Sequence, residues 1–267
     1  MHKRALYSQL AKYYDRVYWW KDYGQEVDFL TRTFRRYGVN GRRILEVACG
    51  TGNHTKILVS KGYRVTGVDV SEESLRIARR KVKGGARFLK GDMRDLDEVL
   101  GGRAREFDAA ICMFSSISYN LTISDLRRTL KGMHDHLAEG GVVIFDTHFT
   151  KKGFRDGYRG ESTFDDGRVI GARISLSRLR GEFAELSFSY LIKDGPKVIT
   201  LRDDVHRLGL FDVGDFRRVM QEVGFGEVNV FVNWTFRRAR LENQFMDVVF
   251  VGRKSSMTQP EIAKSVY

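Results

Sequence analysis

Cysteine and proline are nearly absent, with two of each in 267 residues. Cys49 and Cys112 each follow an apolar, strand-like run and show neither CxxC spacing nor a histidine cluster, which excludes a disulfide framework and a zinc site. Both are expected to be reduced, packed thiols. The low proline content, beside 42% hydrophobic and 12% aromatic residues, excludes disordered and fibrous classes. Long apolar runs are also missing. Runs such as Val142 to Phe145 and Val248 to Val251 fall far short of the roughly 20 residues that a spanning helix needs. Met1-His2-Lys3-Arg4 leads into tyrosine and glutamine rather than an apolar signal core, so a cytoplasmic enzyme is the expectation.

Basic residues are abundant. The net charge is +12 and the pI near 9.7, a balance that suits nucleic acid, an acidic substrate or plain solubility. The pairs Arg35-Arg36, Arg42-Arg43, Arg127-Arg128, Arg217-Arg218 and Arg237-Arg238 are spread along the chain, and many basic residues alternate with acids on expected helix faces. That spread favours a solvated surface, while nucleic acid stays open as a partner. High Arg, Lys and Glu with little Gln also suits a heat-adapted organism.

Val27, Leu30, Phe34 and Tyr37 recur at helical spacing and predict an amphipathic helix over residues 24–37. Strands are then expected at Ile44 to Val47, Val65 to Val68, a third ending in Phe88-Leu89, Ala109 to Met113 and Val142 to Phe145. Helices fit between them: one after Gly52, one capped by Ser71, and one after Ser124 that stops at Gly140-Gly141. This alternation predicts an α/β fold, a doubly wound and mostly parallel seven-stranded sheet. Residues of about 150 to 210 show two-residue alternation instead, clearest at Ala184, Leu186, Phe188 and Tyr190, with a turn at Asp194-Gly195. An antiparallel β insert after strand five is therefore expected. A helix capped by Asp212 and strands at Val228 to Val232 and Asp247 to Gly252 complete the core.

The stretch ILEVACGTGNH at 44–54 runs a strand into a glycine-rich turn. In an open parallel sheet the ligand lies at the carboxyl ends of the strands. Three acids mark those ends: Glu46, Asp69 and Asp92, spaced by 23 residues from 46 to 69 and again from 69 to 92. A dinucleotide site would want a third glycine where Thr55 stands, and Glu46 would repel a pyrophosphate. The rim suits a ligand with an ammonium, a ribose diol and a neutral base. Asp69 can accept from both ribose hydroxyls, Asp92 from an exocyclic amine, the Met93 backbone can meet a ring nitrogen, and Glu46 can face the ammonium. That ligand is S-adenosylmethionine. Ala48, Gly50, Gly52, His54, Val70 and Met113 complete the expected donor-binding set.

ILEVACGTGNH, VTGVDVS, GDMRDL, FDAAICMFSSISYN and LAEGGVVIFD resemble the successive motifs of class I S-adenosylmethionine-dependent methyltransferases over roughly residues 40–150. YYDRVY at 13–18, KDY at 21–23, CMFSSISYN at 112–120 and DGRVIGARIS at 166–175 resemble the aminosugar N,N-dimethyltransferases, with glycine and sarcosine N-methyltransferases as cousins. The chain departs from the aminosugar pattern after strand five, at Asp146-Thr147-His148-Phe149, and at Trp234 to Arg238. The resemblance implies a lid of Tyr14 and Tyr18 over the methyl donor, with Lys21 or Tyr23 near its amino-acid end. Tyr14, Tyr119 and His148 are the candidates for taking a proton from the acceptor amine. His2, His134, His136 and His206 are given no role.

The aromatic cluster of Tyr13, Tyr14, Tyr18, Trp19, Trp20 and Tyr23 also reads as a core or dimer patch. The expected organisation is a helical lid at 1–40, a donor-binding core at 41–150, the insert at 151–210 covering a small-molecule acceptor and pairing with a second subunit, the rest of the core at 211–253 and a disordered tail at 254–267. No metal is expected. The rivals are an RNA or protein methyltransferase, favoured by charge, a donor-binding protein without catalysis, and an NAD-binding oxidoreductase. Met113-Phe114-Ser115-Ser116 is not the Asn-Pro-Pro-Tyr type of motif that grips a planar amide or base amine, which disfavours the first. Glu46 and Thr55 disfavour the last.

Overall fold

The alternation of Ile44 and Val65 against Leu45, Val47 and Val68 is what winds the chain twice, because each central strand offers apolar side chains to both faces. In the computed structural model, which describes residues 4–102, 104–239 and 247–255, the strands β1 (Arg43–Val47), β2 (Arg64–Asp69), β3 (Ala86–Lys90), β4 (Phe107–Cys112) and β5 (Leu137–Thr147) run parallel. β10 (Phe225–Val232) and β11 (Val248–Lys254) close a seven-stranded sheet of order β10-β11-β5-β4-β1-β2-β3, with β11 antiparallel to both neighbours.

On one face lie α2 (Tyr23–Arg36), α3 (Asn53–Ser60) and α4 (Glu72–Lys81), which bury Val27, Phe29, Leu30, Leu58, Leu75 and Ala78. On the other lie α5 (Leu96–Leu100), α6 (Ile123–His136) and α7 (Val213–Glu222), which bury Leu96, Leu130, Met133, Phe216 and Met220. The strand order reverses at β1, flanked by β2 on one side and β4 on the other. The crevice of an open parallel sheet opens at the tips of these three strands.

The insert folds as a separate antiparallel sheet of β6 (Arg159–Asp165), β7 (Val169–Arg180), β8 (Phe183–Asp194) and β9 (Lys197–Gly209). The N-terminal segment, two 3-10 turns at Ala5–Tyr7 and Ala11–Tyr13 and then α1 (Tyr14–Val17), is packed against the inner face of this sheet. Leu6, Leu10, Tyr13 and Val17 share a core there with Phe164, Val169, Tyr190 and Ile192. The outer face leaves Ile170, Ile174, Leu191, Val198 and Val205 exposed.

Several boundaries differ from expectation for local reasons. α2 is capped by Asp22, whose carboxylate accepts from the Gln25 N–H at 2.8 Å. α6 is capped by Thr122, which accepts from the Asp125 N–H at 3.1 Å, so Ser124 lies inside the helix. The helix ends at His136, ahead of the two glycines, and β5 begins at once, carrying Gly140 at φ 73° within it. α5 was not anticipated; its five residues are too few to show a period. β11 runs on through Lys254, whose ammonium donates to the carbonyls of His134 and Leu137 at 3.0 and 2.9 Å. The expected tail otherwise falls at 256–267, outside the described residues. The Asp212 cap holds as a full capping box with Asp215.

Candidate functional site: the crevice at the strand tips

β1 ends in a turn that needs three left-handed residues, Ala48 at φ 56°, Gly50 at φ 54° and Gly52 at φ 75°. At Gly52 a side chain would also meet the Ala78 Cβ at 3.0 Å, so glycine is required where α3 starts beside α4. A Cβ at Gly50 would meet nothing within 4 Å, so the turn faces open space there. Asp69 holds this turn in place. Its Oδ2 accepts from the Gly50 N–H and its Oδ1 from the Ser71 N–H, both at 2.8 Å. Burial pushes its pKa up, and the two N–H groups oppose that shift. Each oxygen keeps a lone pair for a further donor, which fits a ribose diol. Val70, beside it, is exposed over the same rim.

Glu46 departs from the expected open carboxylate. It is 1% exposed, accepts from the Thr55 hydroxyl at 2.5 Å, and lies 3.8 Å from His54 Nδ1. His54 Nε2 is 2.6 Å from Glu26 Oε2, and Glu26 also pairs with Lys21. A buried chain Lys21, Glu26, His54, Glu46, Thr55 thus ties α2 to the first turn of α3. Thr55 replaces the dinucleotide glycine because its hydroxyl satisfies Glu46. Tyr23 packs edge-on against His54 at 5.0 Å. Asp92 is not free either. Arg94 grips it through Nε at 2.8 Å and a terminal nitrogen at 2.5 Å and, as the largest influence, holds its carboxyl below the usual range. Its other lone pairs stay open to an amine. The Met93 sulfur accepts from Asn120 Nδ2 at 3.6 Å, and Met113 lies beneath the crevice, packed with the side chains of α2.

A second latch was not read from the sequence. Asp15 of α1 accepts from the Thr51 hydroxyl at 2.6 Å and Asn53 Nδ2 at 2.9 Å, and pairs with Lys81 at 2.7 Å. This seats the tyrosine layer above the glycine turn. Tyr14 and Tyr18 are in contact at 4.9 Å between centroids, Tyr18 meets Phe114 edge-on at 4.9 Å, and Tyr7 continues the layer 6.1 Å from Tyr14. Phe114 and Ser115 both take positive φ, 60° and 56°, at the tip of β4, a backbone strain of about 1 kcal/mol or more each.

The candidate proton acceptors are not all together. His148 stands with more than half its side chain exposed, its ring 3.4 Å from Asp247, and only its backbone N–H joins the rim, donating to the Ser115 hydroxyl at 2.9 Å. Tyr119 faces the layer, its hydroxyl 2.9 Å from that of Tyr7. It also lies 2.6 Å from Nδ1 of His206, a residue given no role from sequence. Asp204 and His206 alternate with exposed Val205 and Arg207 on β9; two ionisable residues on the buried side of a strand were the signal that marked them.

Arg173 projects from the inner face of β7, its guanidinium 5.1 Å from the Tyr18 ring and 5.4 Å from that of Phe188. Its Nε is buried without a hydrogen-bond partner among the described residues. Arg178, of opposite parity on β7, is exposed. No group of three metal-ligating side chains occurs among the described residues.

A family model described as a methyltransferase domain matches residues 44–141. A dTDP-3-amino-3,6-dideoxy-alpha-D-glucopyranose N,N-dimethyltransferase from Streptomyces fradiae is 33% identical over 224 residues, which is 83% of this chain and 86% of that protein. The chain belongs to the S-adenosylmethionine-dependent methyltransferases. A sugar N-methyltransferase from a Streptoalloteichus species superposes with a TM-score of 0.78 at 28% identity, covering 93% of each chain. An amino pentose methyltransferase from Micromonospora echinaspora, solved with S-adenosylmethionine bound, gives a TM-score of 0.74 at 25% identity, over 92% of this chain and 96% of the other. The acid-rimmed crevice fits that donor and not a dinucleotide. Bound there, S-adenosylmethionine supplies a methyl group already activated by its sulfonium.

Asp69→Ala removes a carboxylate that holds the turn and keeps lone pairs fit for a ribose diol. Hydrogen bonds to a charged group contribute about 1.5–3 kcal/mol, so affinity for S-adenosylhomocysteine is expected to fall by roughly 10- to 150-fold. Isothermal calorimetry checks this, and unchanged affinity would overturn the rim assignment. A second prediction concerns Asp146 at the tip of β5. Burial, with Glu26 nearby and against the pull of Lys21, raises its pKa to about 8 from an ordinary 3.8. Between those values the unfolded chain gives up a proton that the folded one keeps, so stability falls as pH rises through the window. Asp146→Asn removes that dependence: its thermal midpoint should gain more over wild type at pH 8 than at pH 5, and an equal gain at both would refute the assignment.

Proposed function

We propose that this methyltransferase transfers methyl groups to the amine of a small acceptor, an aminosugar carried on a nucleoside diphosphate. The observation that carries the reading is the placement of Arg173. A fixed cation sits on the inner face of the insert, between the rings of Tyr18 and Phe188 and continuous with the tyrosine layer, with an unpartnered buried Nε. A guanidinium so placed suits the phosphates of a nucleotide-sugar, and the hydroxyls of Tyr7, Tyr14 and Tyr119 suit an amine. In this reading residues 1–40 form the lid, 41–150 and 211–253 the donor-binding core, and 151–210 the cover over the acceptor. The site residues mainly align the amine with the methyl group and keep water out, effects that together can supply about 7–11 kcal/mol.

Part of the positive surface is neutralised within the chain. Arg79, Arg127, Arg128 and Arg218 are paired with Glu72, Glu222, Asp95 and Asp215. The exposed Ile170, Ile174, Leu191, Val198 and Val205 on the outer face of the insert favour a homodimer built on that sheet.

The acceptor is tested by supplying S-adenosylmethionine with dTDP-3-amino-3,6-dideoxyglucose, with free aminosugars and amino acids, and with tRNA and protein. Turnover of the nucleotide-linked amine is expected, with Arg173→Ala raising its KM at least tenfold and Arg178→Ala leaving it within twofold. Methylation of tRNA or protein alone would replace this reading. Sedimentation velocity tests the assembly: Ile174→Asp should convert a dimer to a monomer, and a monomeric wild type would refute the dimer.

A further inference from the structure

Tyr119, His206 and Asp204 form a line of titratable groups that methyl transfer from a sulfonium does not by itself require. The Tyr119 hydroxyl lies 2.6 Å from His206 Nδ1, and His206 Nε2 lies 3.3 Å from Asp204 Oδ2. His206 and Asp204 are 3% and 5% exposed. The Asp204 carboxylate is fixed in turn by the N–H groups of Ala5 and Leu6, at 2.8 and 3.1 Å. Such an order, an outer hydroxyl, an imidazole and an anchored carboxylate, is how proteins hold a base ready and stabilise its protonated form.

We propose that these three residues are a proton relay that draws the proton from the acceptor's ammonium group, so that the enzyme binds the charged amine and methylates the neutral one. The inference rests on the amine-methylation reading above. An ammonium has no lone pair, and the lone pair is what attacks the methyl carbon. In the relay, the N–H proton passes to the Tyr119 oxygen as the Tyr119 proton passes to His206 Nδ1, leaving a neutral amine, an intact phenol and an imidazolium facing Asp204. The amine lone pair then forms the N–C bond as the C–S bond of S-adenosylmethionine breaks, its electrons staying on the sulfur of S-adenosylhomocysteine. The extra proton leaves by the reverse path once the product has gone. Tyr119 is the catalytic residue in this scheme, while His206 and Asp204 hold the proton through it.

The surroundings support the direction of transfer. Burial lowers the His206 pKa, against the opposing pull of Asp204 and with the help of Arg4, so the imidazole is a neutral acceptor at neutral pH. Burial raises that of Tyr119, which therefore remains a phenol able to pass a proton on. The charged and titratable groups around the pair are Arg4, over the Tyr119 ring at 4.1 Å, Tyr7, at 2.9 Å from its hydroxyl, and Asp204; Tyr18 and Tyr190 stand further out. Phe188 covers the imidazole edge-on at 5.1 Å.

The test has two arms. Nitrogen-15 NMR of wild-type protein with S-adenosylhomocysteine bound should show His206 at pH 7 as the neutral Nε2–H tautomer; an imidazolium or the Nδ1–H tautomer overturns the relay whatever the acceptor is. The second arm follows kcat against pH for His206→Asn, which keeps an acceptor for Tyr119 but cannot hold a proton. Its kcat on the nucleotide-linked amine should fall about 100-fold at pH 7, the low end of general-base effects, and recover toward wild type as pH passes the amine's own pKa. A loss equal at every pH, or no loss, overturns the relay and leaves His206 a packing residue. Tyr119→Phe should give the same profile and serves where His206→Asn does not fold. If wild type methylates no amine, the functional reading fails on its own, and the tautomer still reports on the relay.

Discussion

The two hydrogen bonds that Asp69 accepts are the constraint on which the rest of the crevice rests. They fix the Gly50 backbone at the tip of β1 and the Ser71 backbone at the start of α4, adding to the Cys49 N–H bond to the Val68 carbonyl and the Lys81 contacts with Thr51 and Asn53. From Ser71 the connection continues. Its hydroxyl bonds the Tyr7 carbonyl, the Tyr7 hydroxyl meets Tyr119, and Tyr119 meets His206 on the insert. One line of hydrogen bonds thus runs from the glycine turn through the N-terminal segment to the inserted sheet. Polar lines of this kind are strong only when every member is satisfied, so disturbance at Asp69 is felt beyond the turn.

The N-terminal segment is where local sequence and tertiary structure diverge most. Its two 3-10 turns and the four residues of α1 are too short to be stable alone. They hold because Asp15 is bound by Thr51, Asn53 and Lys81 at the glycine turn, while Asp204 of the insert receives the N–H groups of Ala5 and Leu6. The tyrosines between are therefore positioned from both ends. The segment thus makes contacts with both the glycine turn and the insert.

Much of this was legible in the sequence, for a definite reason. In a parallel sheet each βα unit returns a strand tip to the same rim, so Glu46, Asp69 and Asp92 could be placed from their even spacing alone. Which of them is open to a ligand could not. That depends on neighbours: His54, which was expected at the donor and stands between Glu46 and Glu26, and Arg94, which reads as an ordinary loop residue. His206 was passed over for a related cause. Its partner lies 87 positions earlier, and the register between β8 and β9 slips between Phe188 and Tyr190, so simple alternation does not carry across the hairpin. Long-range pairings that run through an irregular ladder leave a weak trace in one sequence, and ionisable residues on a buried strand face are what remains of it.

The insert carries the last part of the argument, because its two faces are solved by different physics. The inner face is mixed: Val169, Tyr190 and Ile192 bury the N-terminal segment, while Asp204 and Arg173 put charge, and His206 a neutral imidazole, close to the crevice. The packed tyrosines and Phe188 exclude water there, which makes charge costly unless its partners are fixed, as those of Asp204 are by the Ala5 and Leu6 N–H groups. The same dryness strengthens the electrostatic contacts made within it. The outer face has no layer over it among the described residues, so Ile170, Ile174 and Leu191 stand exposed. Covering the outer face by another subunit would stiffen the strands that carry His206 and Arg173, so assembly and acceptor alignment would depend on the same sheet.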